Sequence, residues 1–102
     1  MKEILNYITS YSDFPNKGIV FKDLLGLIQE PNIFKALIDN MASNQKIKDC
    51  DAIIAIEARG FIFGSALALR TSKPMIVARK ENKLPGELIT KGYELEYGRS
   101  VL

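Results

Sequence analysis

The sequence has no histidine, no tryptophan and a single cysteine, Cys50, among its 102 residues. Without histidine, a Ser-His-Asp triad, a Cys-His dyad and the common zinc sites are excluded. One cysteine cannot form a disulfide within the chain, so we expect a reducing, cytoplasmic location. No apolar run reaches the roughly 18 residues that a membrane-spanning helix needs, and the residues after Met1 lack the apolar stretch of a signal peptide. We therefore expect no membrane partner.

The composition is that of a small globular protein, with 47% hydrophobic and 25% charged residues. A chain of this length supports one core, so we predict a single domain over 1–102. The net charge of +2 does not indicate a nucleic-acid partner. The charge is uneven, however, because six basic residues but only two acidic ones lie between Arg70 and Lys91. This bias favours an anionic ligand, although a solvated, lysine-rich loop explains it equally well.

Apolar residues at helical spacing predict one long helix over 31–43, with Pro31 at its first position. A shorter helix is predicted over 2–10, and a helical turn or two over 24–28. The segment 43–51 is polar and is predicted to be a connection. No strand of ordinary length is predicted before residue 52.

The second half has the pattern of a strand–helix–strand unit in an α/β fold. The continuous apolar run 52–56 predicts a strand buried on both faces, as in a parallel sheet. A helix over 61–70 contains several small residues, which allow it to lie close to the sheet. A second, parallel strand is predicted over 75–78. A polar loop follows over 80–92, and alternating residues predict a strand with one wet face over 93–97.

The candidate chemistry lies after the two apolar strands, where ligands bind in open parallel sheets. Segment 57–60 follows the first strand and precedes a helix, whose free N–H groups and dipole favour an anion. Arg79 and Lys80 follow the second strand, and Lys83 comes soon after. These cations can converge with Arg59 on one anionic group. The alternative is that Arg59 pairs with Glu57 or another acid and closes the turn.

Three further segments each allow two interpretations. The loop 80–92 has the glycine and proline content of a mobile lid, or is an ordinary connection. Glu94 and Glu96 lie on one face of the following strand, where one of them could exchange a proton with a ligand, or both face solvent. The apolar triplet 19–21 is either the wall of a flat pocket for an aromatic ring or part of the core.

Four segments, 13–23, 56–64, 79–86 and 93–98, strongly resemble adenine phosphoribosyltransferases in content, order and approximate spacing. The resemblance implies a type I phosphoribosyltransferase fold, with a parallel sheet flanked by helices and a small N-terminal hood. Residues 1–28 would form the first helix and the hood, and 29–102 the first part of the core. The reaction implied is adenine plus 5-phosphoribosyl 1-pyrophosphate (PRPP) giving AMP and pyrophosphate. The resemblance also implies Mg²⁺ bound with PRPP, a homodimer and a cytoplasmic location.

Residue roles follow from the resemblance position by position. Residues 81–95 match the family's flexible catalytic loop. Lys22 stands where family members commonly have arginine, which is harmless if only the backbone there binds adenine. The implied roles are adenine binding by Val20, Phe21 and Lys22, pyrophosphate binding by Ala58, Arg59, Gly60, Arg79, Lys80 and Lys83, and handling of the purine proton by Glu96 with Tyr97 beside it; no residue is assigned to a metal.

The family's most diagnostic motif has no counterpart in these 102 residues. That motif is an apolar strand, two aspartates and a Gly/Thr-rich loop that holds the ribose 5-phosphate. We therefore expect the C-terminal part of the fold to be absent, the chain to be a fragment rather than a natural truncation, and the chain alone to be inactive. Two alternatives stay open: a non-catalytic or regulatory module that binds purine and pyrophosphate, and a phosphoribosyltransferase for another purine.

Overall fold

The structure is a computed structural model that describes residues 2–89, 92–95 and 98–101. The chain divides into two compact units, Met1–Asn44 and Gln45–Leu102. No helix among the described residues is both long and apolar enough to span a membrane. The division of a single domain at residue 28 into hood and core stays a prediction.

The first unit consists of three helices and a two-stranded hairpin. Its elements are α1 (Lys2–Leu5), β1 (Thr9–Ser12), β2 (Val20–Asp23), α2 (Leu25–Gln29) and α3 (Pro31–Ala42). The predicted helix over 31–43 is confirmed almost to the residue, since Pro31 takes the first helical position. The predicted helix over 2–10 is wrong beyond Leu5. The expectation of no strand of ordinary length is confirmed in this unit, since β1 and β2 have only four residues each, but the sequence did not predict that they pair in antiparallel register.

The turn between β1 and β2 is fixed by one side chain and one glycine. The carboxylate of Asp13 accepts a hydrogen bond from the Gly18 N–H at 2.8 Å. Gly18 has a φ of 87°, a conformation that residues with a Cβ rarely adopt. The turn-forming residues 13–18 are therefore the connection of this hairpin.

The core of the first unit is small and apolar. Ile4, Leu27 and Ile33 from three different helices are each less than 10% exposed, and Leu24 and Leu37 pack against them. α2 also comes close to the chain before β1, because a Cβ on Gly26 would lie 2.5 Å from the Tyr7 carbonyl oxygen. This close approach is what requires glycine inside so short a helix.

The second unit is built around a parallel strand pair. Its elements are α4 (Gln45–Asp49), β3 (Ile53–Ile56), α5 (Arg59–Thr71), β4 (Met75–Ala78), β5 (Gly92–Leu95) and β6 (Gly98–Val101). β3 and β4 pair in parallel, with Ile53 opposite Met75 and Ile56 opposite Ala78, which confirms the predicted strand–helix–strand unit. β5 and β6 form an antiparallel pair. The predicted connection over 43–51 is wrong in part, because it contains α4.

Only one face of β3 is covered. Ile53 and Ala55 are buried, whereas Ile54 and Ile56 are 67% and 53% exposed. The prediction of a strand buried on both faces is therefore wrong for the described residues. The continuous apolar run gives β3 two apolar faces. α5 covers only the face that carries Ile53 and Ala55.

The ammonium group of Lys73 holds α4 to the turn that precedes β4. It donates hydrogen bonds to the carbonyl oxygens of Ile47 at 2.6 Å and Lys48 at 2.8 Å, and to that of Cys50. These carbonyls belong to the last turn of α4 and the residue after it, where no intrahelical donor remains. Lys73 is therefore a structural cation and was not distinguished from the other basic residues by sequence.

Candidate functional site

The ends of β3 and β4 lie side by side. Ile56 pairs with Ala78 in the parallel register, and the Glu57 N–H donates to the Ala78 carbonyl at 3.0 Å. The first residues after each strand, Glu57 and Arg79, are therefore brought to the same edge of the sheet. This confirms the expectation that the two strand ends meet at one edge.

Glu57 and Arg79 form an ion pair at this edge. Arg79 Nη2 lies 3.3 Å from Glu57 Oε2, and the Lys80 N–H donates to Glu57 Oε1. The Arg79 guanidinium also lies 5.8 Å from the centre of the Phe61 ring, within the range of a cation–π contact. Glu57 is thus bound by Arg79 and Lys80, two residues that the sequence had not linked to it.

The ionisation of Glu57 responds to these contacts. The hydrogen bond from the Lys80 N–H is the largest cause that lowers the pKa of Glu57 below its ordinary 4.5. Burial raises this pKa, while the hydrogen bond and charge of Arg79 and the charge of Lys80 lower it further. The carboxylate is therefore ionised at neutral pH and compensates part of the local positive charge.

The three residues expected to bind pyrophosphate after β3 form the start of α5. Ala58 is the N-cap, and Arg59 and Gly60 are the first two helical residues. The peptide bond between Glu57 and Ala58 is cis. A Cβ on Gly60 would find its nearest neighbour 3.8 Å away, at the Ala55 carbonyl carbon. A Cβ would make only ordinary contacts there, so internal packing does not require glycine at this position.

Lys80 and Lys83 are exposed on the segment that follows β4. The described residues from 79 to 89 contain no helix or strand, and two of them, Asn82 and Gly86, have positive φ values. This agrees with the predicted loop, whereas its role as a lid stays a prediction. The structure thus brings Arg79 and Lys80 to the sheet edge that Arg59 also borders.

The three residues expected to bind adenine make up most of β2. Val20 is 57% exposed, so the alternative that it belongs to the core is wrong. Phe21 is half-buried, and its ring meets that of Phe14 edge-on at 5.1 Å. Lys22 Nζ donates to Ser10 Oγ at 2.7 Å across the hairpin. Val20 and Phe21 are successive residues of β2 and therefore face opposite sides of the hairpin, one side with the exposed Val20 and the other with the aromatic pair Phe14–Phe21.

Two of the predicted site residues are not covered by the structure. Glu96 and Tyr97, expected to handle the purine proton, lie outside the described residues. Among the described residues, no group of three or more histidine, cysteine, aspartate or glutamate side chains could hold a metal ion. Sequence reasoning missed the Glu57–Arg79 pair, although the position of both residues directly after parallel strands is a signal that could have found it.

Comparison with known proteins gives a consistent result. No protein-family model matches the chain. A curated adenine phosphoribosyltransferase from Prochlorococcus marinus is 62% identical over 100 residues, which are 98% of this chain and 58% of that protein. The chain is homologous to adenine phosphoribosyltransferases. The resemblance carried by the four sequence segments is thereby confirmed.

Solved structures of these enzymes also match the chain. The adenine phosphoribosyltransferase from Thermoanaerobacter pseudethanolicus has a TM-score of 0.91 and 40% identity over 98% of this chain, which covers 58% of that structure. The enzyme from Saccharomyces cerevisiae, complexed with adenine and an imino-altritol bisphosphate, has a TM-score of 0.87 and 36% identity; 98% of this chain and 59% of that structure are covered. The fold is that of the type I phosphoribosyltransferases, as predicted. The chain spans 58–60% of the length of its first two curated relatives.

Proposed function

We propose that this protein acts in purine salvage as an adenine phosphoribosyltransferase, transferring the 5-phosphoribosyl group of PRPP to adenine and releasing pyrophosphate. The observation that carries the proposal is the sheet edge at which Arg79 and Lys80 meet the start of α5. Homologues with this name match nearly the whole chain and support it. The reaction forms a bond between an adenine ring nitrogen and the anomeric carbon of the ribose and breaks the bond from that carbon to pyrophosphate.

Pyrophosphate leaves from a ribose that carries developing positive charge, so the site must stabilise a departing anion. The first N–H groups of α5 and the guanidinium of Arg59 are suited to this task. Gly60 has no side chain to hinder the approach of an oxygen to the backbone. Arg79, Lys80 and Lys83 supply the remaining positive charge, and Ala58 contributes backbone only.

Adenine is a flat, neutral base that needs an apolar surface and a few hydrogen bonds. Val20 and Phe21 offer apolar surface on opposite sides of β2, and the backbone beside Lys22 offers the hydrogen bonds. The Lys22 ammonium donates to Ser10, which fits a backbone role better than a side-chain contact with the base. Glu96, with Tyr97 beside it, would accept the proton that the purine loses, and the loop over 81–95 would exclude water.

Magnesium would enter as part of the substrate. The carboxylate at this sheet edge, Glu57, already accepts from Arg79 and the Lys80 N–H, and the described residues contain no carboxylate cluster. The donor set therefore fits an anion and does not fit a resident metal. Mg²⁺ bound with PRPP would neutralise diphosphate charge. A homodimer and a cytoplasmic location complete the proposal.

The test is a chimera in which this chain replaces the matching 100 residues of the Prochlorococcus marinus relative. We expect the chimera to form AMP from adenine and PRPP and to reject hypoxanthine, guanine and xanthine. We expect the 102-residue chain alone to form none. An inactive chimera beside an active relative would overturn the proposal, and equal use of another purine would change the substrate.

Two variants of the chimera test the residue roles. We expect Glu96→Gln to lower turnover by about 10²–10⁴-fold, as loss of a general acid–base group does. Arg59→Ala should lower it by about 10²–10³-fold through loss of a donor to the leaving group. Arg70→Ala, at the other end of α5, is the control and should stay near the unaltered rate. Unchanged turnover in both test variants would refute these roles.

A second function uses the same sheet edge, where Arg79 and Lys80 can hold an anion whether or not turnover follows. It is a non-catalytic or regulatory module that binds purine and pyrophosphate. Binding of adenine or AMP to a chimera without turnover, while the parent relative is active, would favour this module over the enzyme.

A further inference from the structure

We propose that Glu57 is a positioning residue of the pyrophosphate site, whose carboxylate orients the Arg79 side chain and the Lys80 backbone for the anion. The inference rests on the proposed function, because it assigns a role within the same site. Glu57 has no assigned role in the reaction above, and an acidic residue beside an anion site is unexpected from charge alone.

Charge alone makes Glu57 unfavourable. A carboxylate among Arg79, Lys80 and the start of α5 repels the oxygens of a bound pyrophosphate. If proximity were the only effect, removal of this charge would tighten anion binding. The presence of Glu57 at this edge therefore requires a second role that outweighs the repulsion.

The geometry supplies that role, because both carboxylate oxygens are engaged. Oε2 lies 3.3 Å from Arg79 Nη2, and Oε1 accepts from the Lys80 N–H. The side chain of Glu57 is only 11% exposed, against 34% for Arg79. Glu57 is thus an inward-facing acceptor that ties the end of β3 to the first two residues after β4.

Arg79 is held from a second direction. Its guanidinium lies 5.8 Å from the centre of the Phe61 ring, and Phe61 belongs to the first turn of α5. Nε of Arg79 is buried and has no hydrogen-bond partner among the described residues. The long arginine side chain is therefore fixed by one carboxylate and one ring. Without the Glu57 carboxylate, the Arg79 side chain is free to rotate, and its guanidinium is no longer held in one orientation as a hydrogen-bond donor.

The test is titration of inorganic pyrophosphate into the 102-residue chain at neutral pH, followed by calorimetry. We expect Glu57→Gln to weaken binding by about tenfold or more, since a charge-assisted hydrogen bond no longer orients Arg79. Electrostatics alone predicts the opposite sign. Asp51→Asn, which removes one charge just before the other end of β3, is the matched control and should bind like the unaltered chain or slightly tighter.

A second variant and a spectroscopic signature separate positioning from damage to the fold. Glu57→Asp keeps the charge but withdraws it from Arg79, so we expect weaker binding although the charge is unchanged. In the Glu57→Gln chain, the side-chain N–H resonance of Arg79 should show fast motion while the backbone amide spectrum elsewhere stays the same.

The outcomes distinguish the two proposals. If the unaltered chain binds pyrophosphate, and both Glu57 variants bind it as tightly or more tightly, the role of Glu57 is overturned while the anion site stands. If the unaltered chain does not bind pyrophosphate at all, the proposed function fails at this site, and the role of Glu57 fails with it.

Discussion

At the residue scale, the role of the Glu57 carboxylate depends on which residues contact it in the folded chain. In the sequence Glu57 lies two residues before Arg59, and pairing of Arg59 with Glu57 or another acid is one of two open interpretations. In the structure its carboxylate meets Arg79 and Lys80, 22 and 23 residues further along the chain. The parallel register of β3 and β4 creates this contact, and the only sequence signal for it is that both residues directly follow predicted parallel strands.

The lowered pKa of Glu57 makes stability depend on pH. Its folded-state pKa lies below the ordinary 4.5, so its contacts stabilise the fold above that value and are lost as the pH falls through the folded pKa. We expect the free energy of unfolding of the unaltered chain to fall more between about pH 5 and pH 3 than that of Glu57→Gln. Urea denaturation at both pH values measures the difference, and parallel pH curves for the two chains would contradict the expectation.

At the element scale, α5 lies close to β3 because Gly64 has no side chain. A Cβ on Gly64 would lie 2.6 Å from the Ala55 Cβ, closer than two such atoms approach. Gly64 and Ala55 are both buried. The sequence predicted that small residues would let this helix lie close to the sheet, and the contact at Gly64 confirms it.

We expect Gly64→Ala to destabilise the second unit. Overpacking costs about 1–3 kcal/mol, and two Cβ atoms 2.6 Å apart place the cost toward the upper end of that range. The gain in helix propensity is about 1 kcal/mol, so we expect a net loss of stability. Urea denaturation measures it, with Ser65→Ala on the exposed side of the same helix as the control. Gly64→Ala should cost less in an Ala55→Gly background, because the clashing atom is then absent. A Gly64→Ala chain as stable as the unaltered one would refute close packing here.

Short elements were harder to predict than long ones. The helix over 31–42 has a wide apolar stripe and a proline at its start, so local pattern sufficed. β1 and β2 have four residues each, and β1 is exposed along its whole length. Their pairing depends on a turn closed by Asp13 and Gly18. Periodicity carries little information over such a length, so the sequence did not predict β1 or the pairing of the two strands.

At the scale of the whole molecule, the exposed face of the parallel strand pair is the largest departure from expectation. Ile54 and Ile76 lie opposite each other in the register. They are 67% and 53% exposed, and Ile56 beside them is 53% exposed. Adjacent exposed isoleucines on a sheet favour association, since burial of apolar surface stabilises contact with another apolar surface.

We therefore expect the 102-residue chain to self-associate and the double variant Ile54→Thr, Ile76→Thr to associate less. Threonine keeps the β-branch that strands favour and removes apolar area. Sedimentation velocity over a range of concentrations is the measurement. Leu69→Thr, which removes a residue that is 84% exposed on α5, is the control and should change association less. Equal association of the double variant and the unaltered chain would rule out this face as the cause.

The amino-acid sequence by itself determined the helix over 31–42, the unit from β3 to β4 and the homology carried by four segments. These features depend on periodicity, turn residues and local motifs, which act between residues close together in the chain. Only the tertiary structure decided that Glu57 meets Arg79, that Lys73 holds the end of α4, and that β3 is covered on one face. Each of these depends on contacts between residues far apart in sequence, which form only when the strands pair and the helix packs.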